Sequence, residues 1–232
     1  MKKIMVVATS TEHPSLHDYE FVRPVKRRIE KAIEKEHVNM TVNVEHYTSL
    51  TAREPEGYAA LVFCGSALGD NGVLDHAGDF GWLRDFHGAV VGICVGASLL
   101  SKVYGGDVRE CTEIGPYVVE TDPRDPLLGP LNGKTVYEIH LLAPSLPSGA
   151  EKVAWPGQTG TGKNGTEEEG TGAGGEMRRR CDVQAFRIGS WEKALETDDS
   201  GRVLPRYGVL FHPEVRYQVF FNSLVEMLAA HF

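Results

Sequence analysis

Two short stretches hold residue types whose spacing suits nucleophilic chemistry. The first is Gly92-Ile93-Cys94-Val95-Gly96, preceded by the apolar run Ala89-Val90-Val91 and followed by the helical pattern Ala97-Ser98-Leu99-Leu100. This is the layout of a nucleophile elbow, G-x-[nucleophile]-x-G, in which a sharp strand-to-helix turn exposes the central side chain and flanking glycines remove side chains that would clash. A cysteine there stands at a helix N-terminus, where the positive end of the dipole favours the thiolate, the form that attacks a carbonyl. The second stretch is Tyr207-Gly208-Val209-Leu210-Phe211-His212-Pro213-Glu214. If it is extended, His212 and Glu214 share a face at about 6.5 to 7 Å between Cα atoms, so that the carboxylate can orient the imidazole as a base. The residues alone leave plainer readings open: a small buried cysteine at an ordinary junction, and a solvated His and Glu around a strand-ending proline.

The elements that must position these groups alternate as βαβ units, which predicts an α/β fold around a mostly parallel sheet flanked by helices, with additional strands in the C-terminal half. Strands are expected at Lys3–Ala8, Val42–Tyr47, Ala59–Cys64 and Ala89–Ile93. Phe21, Val25, Ile29, Ala32 and Ile33 recur at three- and four-residue steps, which predicts a surface helix over Tyr19–Glu36 with one buried stripe. Shorter helices are expected over Asp79–Phe86 and Ala97–Tyr104, the latter capped by Gly105-Gly106. Further strands are expected at Tyr117–Glu120, Thr135–Leu142, Lys152–Trp155, Val183–Arg187 and Tyr207–Phe211, then a last helix over Val215–Ala230. Gly157–Glu176 is rich in Gly, Thr and Glu and has no apolar period, so the stretch 157–180 reads as a flexible insertion within a single domain spanning 1–232.

The chain has 232 residues, 41% of them hydrophobic and 24% charged, enough to bury a sizeable core. A formal net charge of -8 repels phosphate backbones and anionic membrane surfaces, so neither nucleic acid nor membrane is expected as a partner. No apolar run reaches the roughly 18 to 20 residues that span a bilayer. The four cysteines, Cys64, Cys94, Cys111 and Cys181, form no CxxC pair, which disfavours a zinc knuckle or a dense disulfide framework and makes a reducing cytoplasm the expected location. Cys111 and Cys181 read as structural or incidental, and His13, His17 and His46 have no metal-ligand spacing with carboxylates or thiols. Gly157 to Asn164 nearly spells a phosphate-binding G-x-x-x-x-G-K-[ST] loop, but Asn164 replaces the hydroxyl residue and three glutamates come after it. No cofactor is expected.

Together, Gly92-Ile-Cys-Val-Gly96 with Leu99-Leu100 and Gly105-Gly106, and then Tyr207-Gly-Val-Leu-Phe-His-Pro-Glu-Val215, resemble the class I glutamine amidotransferase (triad glutaminase) family. The motifs stand in the family's order, and the resemblance runs from Ile4 to about Val225. It implies a flavodoxin-like three-layer fold and a Cys94-His212-Glu214 triad that hydrolyses the side-chain amide of glutamine, a small-molecule substrate, and releases ammonia for a separate synthetase subunit. It also places Gly65 and Ser66 in the family's oxyanion loop, with the amides of Gly65 and Val95 as donors to the tetrahedral oxyanion. Looping out 157–180 restores the family's usual spacing between Cys94 and His212. Two departures stand out. The family's elbow continues Gly-His-Gln where this chain has Gly96-Ala97-Ser98, so the glutamine's contact with substrate is either lost or replaced by the shorter hydroxyl of Ser98. A Ser-His pair that faces the substrate's amino-acid end becomes Ile139-His140, with His140 as the matching pocket residue. These departures keep two alternatives open: a γ-glutamyl-peptide hydrolase or related peptidase-like enzyme, and a catalytically silent regulatory protein of the same fold. A homo-oligomer is compatible with either.

Overall fold

In a computed structural model, which describes residues 2–51, 54–157, 180–192 and 203–231, the apolar runs become the centre of one nine-stranded sheet. Strands β1 (Lys2–Ala8), β2 (Met40–His46), β3 (Tyr58–Phe63), β4 (Ala89–Ile93) and β9 (Arg206–Val209) pair in parallel in the order β2-β1-β3-β4-β9. Their side chains alternate between two buried faces, which is why β1, β3 and β4 read as continuous apolar runs and not as alternating ones. Ile4, Val6, Ala60, Val62, Val91 and Ile93 pack beneath helices α2 (Arg23–Glu36) and α4 (Gln218–His231). Met5, Val7, Leu61, Phe63 and Val90 pack on the other face, beneath α3 (Val95–Val103) and a 3-10 segment, Gly72–Arg84. The result is the expected three-layer α/β arrangement.

The other side of the sheet is antiparallel. β8 (Ala185–Ile188) pairs with β9, β7 (Ala150–Pro156) with β8, β5 (Val108–Thr121) with β7, and β6 (Lys134–Pro144) with β5. The sheet is therefore mixed, with its parallel character confined to the half that carries the elbow. The β5–β6 hairpin is longer than its apolar stretches suggest, and its register shifts between Glu110 and Glu113.

Several elements differ locally from their patterns. The predicted helix over Tyr19–Glu36 is divided: a short helix α1 (Pro14–His17) runs into a π-helical turn, Asp18–Val22, before α2 begins. Pro24, which has no N–H to donate back along the helix, stands at that handover. The segment predicted over Asp79–Phe86 is 3-10 only as far as Arg84, where the stretch ends, and is interrupted at Phe80 (φ -99°, ψ 18°). The last helix starts later than predicted, because Pro213–Val215 forms a separate 3-10 turn. The near-match to a phosphate loop and almost all of the insertion lie outside the described residues.

Two glycines set how closely α3 can approach the sheet. A Cβ on Gly92 would lie 2.3 Å from the Gly96 carbonyl oxygen, and one on Gly96 would lie 2.7 Å from the Phe63 carbonyl oxygen. Both neighbours are backbone and cannot rotate away, so Gly92→Ala is expected to cost about 2 to 3 kcal/mol. Gly78→Ala, where no heavy atom lies within 4 Å of the new Cβ, is expected to stay within about 0.5 kcal/mol of the parent. Urea unfolding midpoints at unchanged slope measure both.

Candidate active site

At the end of β4 the chain turns so sharply that Cys94 adopts φ 53°, ψ -109°, a left-handed backbone that a side-chain-bearing residue seldom occupies. Three hydrogen bonds hold it there. The Cys94 N–H donates to the Val209 carbonyl on β9 at 2.8 Å, and the Cys94 carbonyl accepts from the N–H groups of Ala97 (3.0 Å) and Ser98 (3.2 Å) in the first turn of α3. The thiol is thereby fixed above the C-terminal edge of the parallel strands, at the start of a helix whose first N–H groups have no partner within it.

His212 and Glu214 meet at 2.7 Å between Nδ1 and Oε1, both buried. Strand alternation is not what joins them. β9 ends at Val209, and Pro213 starts the 3-10 turn that brings Glu214 to the edge of the ring at Nδ1. The His212 N–H donates to the Tyr137 carbonyl on β6 at 2.9 Å, and Arg28 Nε on α2 donates to the Glu214 carbonyl at 3.0 Å. Burial pulls the His212 pKa down, but the Glu214 carboxylate and the neighbouring Cys94 outweigh it and hold the imidazole well above its ordinary value. With Nδ1 committed to Glu214, Nε2 has no hydrogen-bond partner among the described residues. Thiol and ring converge on Gly65, where a Cβ would lie 2.4 Å from His212 Cε1 and 3.2 Å from Cys94 Cβ. The arrangement is that of a nucleophile beside a general base whose tautomer is set by a carboxylate.

The surface depression in front of Cys94 is lined by Ser66, Val95, Ser98, Ile139 and His140 among others. The Cys94 thiol donates to the Ile139 carbonyl at 3.7 Å. The remaining free thiol, Cys64, is fully buried, which pushes its pKa well up and disfavours it as a nucleophile.

No family model matches the chain. Among curated proteins, a subunit of the glutamine-hydrolysing GMP synthase of Thermoplasma volcanium is 28% identical over 183 residues, which are 78% of this chain and 75% of that protein. Among solved structures, a candidate GMP synthase subunit from Thermoplasma acidophilum superposes with a TM-score of 0.66 at 20% identity, covering 100% of this chain and 96% of its own. A glutamine amidotransferase from Thermotoga maritima gives 0.59 at 14% identity, covering 98% and 96%. The structural likenesses carry the fold, and the sequence relative is similar over three quarters of its length. The chain is similar to the class I glutamine amidotransferases in sequence and in fold.

The structure locates the positions at which this chain departs from the family's motifs. At Ile139 it is the backbone carbonyl that faces the thiol, so the loss of the family's serine side chain leaves that surface in place. Ser98 lines the cleft but reaches less far than the glutamine it replaces. His140 turns both ring nitrogens inward, with Nδ1 3.0 Å from the Cys111 carbonyl and Nε2 3.2 Å from Glu138 and 3.5 Å from Glu113. Burial would lower its pKa, but the two carboxylates raise it to about 9. Glu113 is also held by Arg180 and, at 2.8 Å, by Gln184 Nε2. Cys111 and Cys181, unrelated in the sequence, form a disulfide that ties β5 to the residue after Arg180. Glu113, His140 and Cys181 bring ligand atoms within 4.8 Å of one another, as a metal site would require. The sulfur is engaged in the disulfide and the carboxylate with Arg180, so the cluster is an ion-pair network.

Sequence spacing gave no sign of Glu113, Glu138 or the neighbours of His140, because the β5–β6 pairing that joins them depends on a register shift no pattern announces. The fold favours the protonated form of His140, raising its pKa from 6.5 to about 9. Its contribution to stability is therefore complete below about pH 6.5 and is lost as pH rises through about 9, a change on the order of 3 kcal/mol. Urea unfolding at about pH 6.5, 8 and 9.5 is expected to show this fall in the parent and a flattened slope in His140→Gln.

Proposed function

We propose that this protein hydrolyses the side-chain amide of glutamine through a thioester on Cys94 and delivers the ammonia to a separate synthetase subunit. The observation that carries this reading is the His212 ring, with Nδ1 fixed by Glu214 at 2.7 Å and Nε2, beside the Cys94 elbow, without a hydrogen-bond partner among the described residues. His212 Nε2 takes the thiol proton, and the Cys94 thiolate adds to the amide carbon to give a tetrahedral oxyanion. Backbone N–H groups of Val95 and of the Gly65–Ser66 loop stabilise that charge, at a few kcal/mol per donor in comparable sites. The intermediate collapses as His212 returns its proton to the departing nitrogen, releasing ammonia and leaving the γ-glutamyl thioester. A water molecule, deprotonated by the same Nε2, then adds to the thioester, and expulsion of the thiolate yields glutamate. Glu214 stays ionised throughout and stabilises the imidazolium.

The synthetase partner is carried over from the Thermoplasma volcanium relative, itself one subunit of a glutamine-hydrolysing GMP synthase, of which this chain covers 75%. His140 and Ser98 line the cleft where the rest of the substrate would lie, and the small Ala97-Ser98 pair supports a second reading, a hydrolase of larger γ-glutamyl amides.

Incubation with L-glutamine is expected to release glutamate and ammonia in equal amounts. Cys94→Ala is expected to lower kcat by about 10⁵- to 10⁶-fold and Glu214→Gln by a smaller factor, about 10²- to 10⁴-fold. Release that persists in Cys94→Ala overturns the mechanism. Cys94-dependent cleavage of γ-glutamyl-p-nitroanilide without cleavage of glutamine assigns the second reading.

A further inference from the structure

The loop after β3 is gripped from behind by two side chains that the triad does not use. Thr9, the first residue after β1, places its hydroxyl 3.2 Å from the Cys64 carbonyl oxygen and 3.2 Å from that of Gly65. His17, the last residue of α1, places Nε2 2.9 Å from the Gly65 oxygen and 3.3 Å from the Thr9 hydroxyl. Both residues are buried. A carbonyl only accepts, so His17 Nε2 carries the proton. Burial lowers the His17 pKa, consistent with a neutral ring that donates from this nitrogen.

The grip changes which way a peptide faces. The Cys64 N–H donates to Val7 on β1 at 3.0 Å, so in an extended strand both polar groups of Gly65 would face the opposite side, toward β4 and Cys94. The Gly65 oxygen lies instead on the β1 side, against Thr9 and His17. The peptide between Gly65 and Ser66 is therefore rotated from the extended course. In a trans peptide the carbonyl and the following N–H point in opposite directions, and the described residues contain no cis bond. The Ser66 N–H is turned toward β4, where Ser66 lines the cleft with Cys94 and Val95. Position 65 cannot hold this geometry by itself. The 2.4 Å approach of His212 Cε1 to a hypothetical Cβ demands glycine there, and glycine is the residue with most freedom to rotate back.

We infer that Thr9 and His17 are positioning residues that lock the Gly65–Ser66 peptide, so that the Ser66 N–H, with the Val95 N–H, forms the oxyanion site of Cys94. The inference rests on the proposed thioester chemistry at Cys94 and refines it, since it adds Ser66 to Gly65 as a donor from the loop. Phe21 ties the clamp to the base, with its ring centroid 5.5 Å from that of His17 and 5.6 Å from that of His212.

Two probes of Cys94 separate oxyanion stabilisation from nucleophilicity. Acylation by p-nitrophenyl acetate passes through a tetrahedral oxyanion, in which the thiolate adds to the ester carbonyl and p-nitrophenolate leaves. Alkylation by iodoacetamide displaces iodide at a saturated carbon and forms no oxyanion. With the parent protein in excess over the ester, a p-nitrophenol burst that is absent in Cys94→Ala is expected. His17→Ala and the near-isosteric Thr9→Val are expected to slow that burst about 10- to 100-fold while changing Cys94 alkylation less than about 2-fold. His17→Gln, which can present an N–H from a similar reach, is expected to recover most of the burst. An equal loss of both reactions in Thr9→Val and His17→Ala would mean a general disturbance of the site and overturns the inference. So does an unchanged burst, or a parent without a Cys94-dependent burst. Neither probe is glutamine, so a protein inert toward glutamine still tests the clamp.

Discussion

The backbone of Cys94 is the constraint on which most of the site depends. A non-glycine residue at φ 53° stays there only if its neighbours over-determine it, and here they do, through β9 on one side and the first turn of α3 on the other. The turn forces α3 so close to β3 and β4 that positions 92 and 96 have no room for a Cβ. The same turn lifts the thiol out of the sheet at the edge where β1, β3 and β9 also end, so that three further loops can reach it. One brings Gly65 and Ser66, one brings His212 and Glu214, and one brings Thr9 and His17. The parallel half of the sheet is thus a frame that places strand ends side by side, and the chemistry is assembled from the loops that leave those ends.

The antiparallel half closes the site from the opposite direction. β6 gives the Tyr137 carbonyl to the His212 N–H and the Ile139 carbonyl to the Cys94 thiol, so one strand contacts both the proposed base and the proposed nucleophile. The next residue, His140, faces inward and is held between Glu113 and Glu138. Glu138 is completely buried, which by itself raises its pKa, and the His140 imidazolium partly offsets that. Burying so much charge is favourable only when each group finds its counterpart, so the β5–β6 register, the disulfide from Cys111 to Cys181 and the approach of Arg180 form one interdependent unit. Through β6 that unit determines where the two carbonyls of the active site sit.

What could be read from the chain divides along physical lines. Local signals read well: the doubly buried strands, the glycine-bracketed Cys94 and the order in which Cys94, His212 and Glu214 occur are properties of contiguous residues. Where a short-range rule was asked to carry three-dimensional information, it gave the correct partners for a different reason. His212 and Glu214 do meet, through a 3-10 turn begun by Pro213 and not through strand alternation. Features that depend on long-range pairing left no trace. Cys111 and Cys181 are 70 residues apart, and nothing near either one announces the other. His17 has no metal-ligand partner in its neighbourhood of the sequence, yet it meets the carbonyl of a residue 48 positions away because β1 and β3 are adjacent strands. The division of one amphipathic pattern into a π turn and α2 was likewise hidden, since Phe21 keeps its place in the apolar stripe while its ring is directed between His17 and His212.

The loop after β3 shows how one requirement generates the next. The imidazole must come within reach of the thiol, and the space it occupies is the space a side chain at position 65 would need. Glycine meets that demand and introduces another, because a glycine peptide without support can take several orientations of similar energy. A donor aimed at a developing oxyanion is effective in proportion to how little it must reorganise when the charge appears. The freedom that admits His212 is therefore the freedom an oxyanion site cannot tolerate, and the buried hydroxyl and imidazole behind the loop remove it. In this arrangement the residues that face the cleft are constrained by space, and those behind them by direction. An active site read only from the residues that line its cleft would miss the second group.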